Sequence, residues 1–249
     1  MVDNAIATGI DALVKESVNL LGNNLQAIIL FGSGNNSDFV KGISDLDFIY
    51  VVESIDYRAI EQIRKLKEMG MKITNCAVDI KPFTREEFTA GINGKSACEF
   101  FTGWGLEMIR RGNQRCLYRT KRVSLEYTLS EERIRADALP RAHYYITKLR
   151  KIYLGENPKI FPFNSDSITP LLKVTASAVK NILAFGLAYK GVIADGIEQV
   201  LEESKKHFGD VEVFRQLFEA KKKRDCDSKL LVLSYEAIER VYQRMLHHG

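Results

Sequence analysis

Apolar and polar residues change their period along this chain. From Leu25 to Phe31 they read "LQAIILF", and after a polar loop a second apolar run covers Leu46 to Val52; both are the signature of buried strands. The pattern then turns helical over Tyr57–Gly70, with the glycine as a stop. Lys72–Lys81 carries β-branched Ile73, Thr74, Val78 and Ile80, which predicts a third strand ended by Pro82. Thr84 opens "TREEF" as a helix N-cap, with Glu87 at the capping-box position. Residues 96–111 read as a helix with an apolar face around Phe100, Trp104, Leu106 and Ile109. Ahead of all this, Ile6, Ile10, Leu13, Val14 and Leu20 mark one face of an amphipathic N-terminal helix.

After about Arg119 the helical period takes over. Ser130 heads "SEERIRADALPRAHYYITKLRKIYLG", with glutamates at 131 and 132 rather than at 133, where a full capping box needs one. Pro140 either kinks this helix or begins another. A Pro- and Asn-rich loop precedes "SITPLLKVTASAVKNILAFGLAYKG", and "IADGIEQVLEESKKHFG" and "SKLLVLSYEAIERVYQRMLHH" follow. Short connections between such segments predict an antiparallel helical bundle. The expected domains are 1–125 and 126–249, with no internal repeat.

Composition narrows the class. The chain has 249 residues, 45% hydrophobic and 27% charged, enough to bury a core without disulfide or metal staples. Cys76, Cys98, Cys116 and Cys226 lie far apart, as reduced thiols of a cytoplasmic protein would, and with four histidines they build no convincing zinc site. No apolar run is expected to reach the roughly 20 residues of a membrane span. Asp3, Asp11 and Glu16 interrupt the N-terminal apolar positions, so no signal peptide is expected. Net charge is +4, all of it in residues 130–249, since residues 1–129 balance. There is no dense basic stripe of the kind that binds nucleic acid. The one basic cluster, "AKKKRDCDSK", reads as a solvated helix end.

The loop and second strand hold the chemistry: "AIILFGSGNNSDFVKGISDLDFIYVV". On a strand, residues i and i+2 point the same way, roughly 6.5–7 Å apart. Asp45 and Asp47 therefore share a face, and Leu46 and Phe48 take the other. Two carboxylates this close repel, and a divalent cation removes the conflict; magnesium takes a few carboxylates together with phosphate oxygens and water. Gly32-Ser33 at the end of the first strand lets backbone N–H groups approach a phosphate. Asp79, between Val78 and Ile80, supplies a third acid on the third strand. Three carboxylates can hold two metals that activate a hydroxyl and stabilise a departing pyrophosphate.

Strand, Gly-Ser, loop, Asp-x-Asp strand and later carboxylate together resemble the polymerase-beta-type nucleotidyltransferase superfamily, over roughly residues 20–120. With a helical domain behind, the arrangement is similar to the aminoglycoside and lincosamide nucleotidyltransferases. The resemblance implies an α+β fold, a mixed β-sheet flanked by helices, followed by an all-α bundle. It implies an enzyme that moves a nucleoside monophosphate, AMP from ATP, onto a hydroxyl of a small-molecule acceptor and releases pyrophosphate. Gly32 and Ser33 would hold the β/γ-phosphates, and Asp45 and Asp47 would bind two Mg²⁺ ions. Asp79 would bind the catalytic metal, accept the hydroxyl proton, or both. Ser44 either donates to a phosphate or caps the strand. Lys41, Lys81, Arg85 and Lys148 are the candidate phosphate cations. Phe101, Trp104, Tyr144 and Tyr145 are candidate linings for an acceptor cleft between the domains, or plain core. A homodimer is left open.

Two other readings compete. One is an interaction module of toxin–antitoxin type that modifies or binds a protein, its helical half resembling HEPN domains. The nuclease form of such domains needs an Arg, four to six residues and a His; only Arg240 to His247 fits, at a poor place for an active site. The other is a polymerase or RNA-tailing enzyme, which the charge distribution does not encourage.

Overall fold

The structure is a computed structural model and describes residues 4–35, 38–93, 105–107, 115–126, 129–155 and 165–247. The chain forms two compact units, Met1–Thr128 and Leu129–Gly249. In the first, helix α1 (Asn4–Leu21) leads into β1 (Leu25–Phe31), then β2 (Asp45–Val52), α2 (Tyr57–Thr74), β3 (Ala77–Thr84), α3 (Arg85–Ile92) and β4 (Arg115–Arg119). The strands form one mixed sheet in the order β3-β2-β1-β4. β1 is antiparallel to both β2 and β4, and β2 is parallel to β3.

Alternation along β2 sorts the sheet's two faces. Leu46, Phe48, Tyr50 and Val52 enter a core with Ile6, Ile10 and Leu13 of α1 and Ile63 and Leu66 of α2. The helices approach through glycines: a Cβ on Gly9 would meet Thr74 Cγ2 at 2.9 Å, and one on Gly70 would meet Leu13 Cδ2 at 3.0 Å. The Tyr50 hydroxyl, deep in this core, shares a 2.7 Å hydrogen bond with Ser17. Burial pushes the Tyr50 pKa up to about 12 despite that bond.

Several local expectations change. Gly70 does not stop α2. The helix runs on to Thr74, whose hydroxyl donates back to the Gly70 carbonyl, and ends where Asn75 turns left-handed at φ 51°. Residues 72–74 thus belong to the helix, and the third strand starts at Ala77. Pro82 lies inside β3 rather than after it. Among the described strands β3 lies at the edge of the sheet, a place where proline is tolerated. The Thr84–Glu87 capping box forms in both directions. Of the expected 96–111 helix, residues 105–107 are helical; Phe100, Phe101, Trp104 and Ile109 lie outside the described residues, as does Cys98. β4 is an element the sequence pattern did not signal.

The second unit holds α4 (Glu131–Tyr153), α5 (Ser165–Tyr189), α6 (Ile197–Phe208), α7 (Glu212–Lys223) and α8 (Ser228–His247). Ser130 caps α4 by accepting from Arg133 N–H, and the helix continues through Pro140. α7 ends in Lys221, Lys222 and Lys223, the helix end that the basic cluster was read as, where cations suit the helix dipole; Lys222 pairs with Glu219 and Glu198. α5 is the core helix. Contrary to expectation, its stretch Ile168–Tyr189 is long and apolar enough to cross a membrane, at 22 residues and mean hydropathy 1.4, but it is 72% buried within the protein. Arg150 of α4 grips Glu239 of α8 through two 2.7 Å hydrogen bonds.

Candidate active site

The loop between β1 and β2 is built to bring backbone close to carboxylate. β1 ends at Phe31, paired with Asp47 across the sheet. Gly32 then takes φ +69°, a left-handed conformation that disfavours any side chain. A Cβ there would sit 3.1 Å from Asp47 Oδ2. Gly34 is notched in the same way, its missing Cβ 3.0 Å from Leu46 Cδ2. Ser33 is half-buried in this single 3-10 turn. Further on, the Ser44 hydroxyl accepts from Val40 N–H at 3.0 Å, and the residue is 5% exposed. That bond ties the loop to β2 and leaves the Ser44 O–H able to donate, so both readings of Ser44 stand.

Asp45 and Asp47 lie at the start of β2, opposite in direction to the inward-facing Leu46 and Phe48. The parallel register sets Asp79 of β3 directly beside Asp47. Asp47 is only 26% exposed. Burial raises its pKa above the ordinary aspartate value; Lys81 opposes this, while the charges of Asp45 and Asp79 add to the rise. Partial burial also pushes Asp79 up, but there Lys81, by hydrogen bond and charge, and then Lys67 outweigh it and hold the carboxyl below the ordinary value.

Lys81 is the candidate cation that lies among these carboxylates. Two positions beyond Asp79, it lies on the same face of β3. Its ammonium is 3.0 Å from Asp79 Oδ2, 3.5 Å from Asp47 Oδ1 and 4.7 Å from the centre of the Phe31 ring. Lys67 of α2 reaches Asp79 Oδ1 at 3.4 Å. The i+2 spacing in "DIK" was the signal that could have singled out Lys81 from the other three. Of those three, Arg85 is bonded to Glu53, beyond the opposite end of β2, and Lys41 and Lys148 are exposed. Among the aromatics, Tyr144 stands edge-on to Tyr145, which stacks on Phe185 within the helical unit. His143 shares a 2.6 Å hydrogen bond with the Tyr242 hydroxyl.

The donor set fits magnesium in part. Asp45 and Asp47 offer hard carboxylate oxygens on one face, and the space a Cβ on Gly32 would fill lies open beside Asp47 Oδ2. Among the described residues, however, no three His, Cys, Asp or Glu side chains converge as a ready-made metal group. A pair of carboxylates still suffices for Mg²⁺ when substrate phosphates complete its shell.

No family model matches this sequence, and no curated protein does. Among solved structures, the chain is similar to spectinomycin adenyltransferase AAD(9) from Enterococcus faecialis, solved with ATP and spectinomycin. That likeness covers 96% of this chain and 99% of the other, with a TM-score of 0.60 at 14% sequence identity. A mixed four-stranded sheet flanked by helices, with a helical region after it, is thus the fold this chain shares with an antibiotic nucleotidyltransferase.

Proposed function

We propose that this protein is a magnesium-dependent nucleotidyltransferase that moves AMP from ATP to a hydroxyl of a small-molecule acceptor. The observation that carries the reading is the Asp45–Asp47 pair beside the left-handed Gly32 turn, with Asp79 in register on the next strand. The fold shared with an adenyltransferase solved with ATP supports it, and a donor of this kind fits a cytoplasmic setting. Spectinomycin, the second ligand of that neighbour, is a sensible first acceptor to screen.

In the reaction the acceptor oxygen bonds to the α-phosphorus, the bond from that phosphorus to the β-bridging oxygen breaks, and pyrophosphate leaves with the electron pair. Gly32 and Ser33 would hold the β/γ-phosphates by backbone N–H and hydroxyl, with Ser44 fixing their loop. Asp45 and Asp47 would hold Mg²⁺, with Asp79 joining them as a ligand or taking the acceptor proton. Bound magnesium would supply charge neutralisation for the phosphates and the departing pyrophosphate. Positioning and electrostatics provide most of the effect in such transfers.

The test is calorimetric titration with non-hydrolysable nucleoside triphosphates, with and without Mg²⁺. Wild type should bind an ATP analogue in a magnesium-dependent manner, and Asp45→Asn/Asp47→Asn should lose that dependence. Failure of wild type to bind any triphosphate would sink the reading.

A further inference from the structure

The acidic cluster already contains a cation of the chain's own. Lys81 reaches both Asp47 and Asp79, its ammonium lies over the Phe31 ring, and its side chain is only 26% exposed. Phe31 is the residue just before Gly32, so the lysine stands against both the carboxylates and the phosphate loop. A stem this buried is held in place rather than sampling solvent. Its position follows from strand register, since Asp79 and Lys81 share a face and Asp79 lies beside Asp47.

Building on the nucleotidyltransferase reading, we propose that Lys81 is an internal counter-cation that competes with the divalent metal for the carboxylates and yields to the metal–triphosphate complex. A bare metal ion must expel the ammonium and leave it without a counter-charge in a partly buried place, which is costly. A metal that arrives with a triphosphate brings anionic oxygens to which the displaced ammonium can turn. Lys81 thereby makes metal binding conditional on nucleotide, and by reciprocity makes nucleotide binding conditional on metal. It acts as a positioning residue: in the free protein its ammonium ties Asp47 and Asp79 together.

The test reads metal affinity rather than turnover. Mn²⁺ binding is measured by electron paramagnetic resonance without nucleotide, at fixed pH and ionic strength, for wild type, Lys81→Met and Lys81→Arg. Lost competition and the added negative charge both favour the metal in Lys81→Met, so its affinity should rise at least tenfold, while Lys81→Arg stays near wild type. The gained affinity should vanish when Asp45→Asn/Asp47→Asn is added. An ATP analogue should tighten Mn²⁺ binding far more in wild type than in Lys81→Met. Thermal melts check folding, and Lys81→Gln, whose amide still donates to carboxylates, replaces the methionine variant if that fails to fold. Unchanged Mn²⁺ affinity in a folded variant overturns the proposal, as does a gain that survives loss of the aspartate pair. Wild-type binding of the magnesium–nucleotide complex with no effect of Lys81 overturns this inference alone; absence of any nucleotide binding overturns the enzyme reading beneath it.

Discussion

Gly32 shows how much one hydrogen atom in place of a side chain can decide. At φ +69° an L-residue costs roughly 1–2 kcal/mol, and here a Cβ would also press on the Asp47 carboxylate. Gly22 offers the control: its φ is +52°, and nothing lies within 4 Å of its missing Cβ. Gly22→Ala should therefore lose about 1–2 kcal/mol in denaturant melts, and Gly32→Ala at least as much. Only Gly32→Ala should also lose magnesium-dependent nucleotide binding, by tenfold or more; equal binding in the two variants would remove Gly32 from the site. Gly32, Asp45 and Asp47 were legible because strand alternation is strict and two carboxylates on one face raise a question by themselves. Lys81 was legible only as one of four candidate cations, because lysines judged one at a time look like surface. Its meaning comes from a neighbour two residues away and a partner on another strand.

Elements were legible where local pattern and tertiary context agree. β1, the Thr84 capping box and α1 fall where alternation and capping chemistry put them. The α2–β3 boundary was misread because Ile73 and Thr74 favour strands by shape, yet the helix keeps them by packing Thr74 against Gly9. β4 is five residues with exposed Arg115 and Cys116, and only pairing with β1 makes it a strand. In the bundle, the Arg150–Glu239 clamp joins α4 to α8. Glu239 is held below its ordinary pKa, first by the Arg150 hydrogen bond, against an opposing push from burial. A depressed carboxyl adds stability above the unfolded pKa, near 4.3, which is lost as pH falls through the folded value. Glu239→Gln should thus cost about 1–2 kcal/mol at pH 7, allowing for solvent screening at this partly exposed pair. The gap to wild type should narrow on acidification below about pH 4. Urea titrations across pH 3–7 check this, and a gap that stays constant would assign the loss to packing instead.

At the scale of the whole molecule, α5 organises the second unit. It contacts each of the other helices there, and Gly186 lets Met245 of α8 and Phe208 of α6 pack against its backbone. A chain ending at Asp227 lacks α8 and should bind a hydrophobic dye and aggregate, whereas substitution of exposed Tyr57 on α2 by Ser should do neither. A dye-silent, monomeric truncation would show that α8 is dispensable for covering α5. Synthesis runs from the first residue to the last, so α5 leaves the ribosome before the helix that completes its shelter. During that interval a nascent chain displays a 22-residue stretch long and apolar enough to cross a bilayer. The speed with which Ser228–His247 follows and folds back would then decide whether this chain is mistaken for membrane cargo.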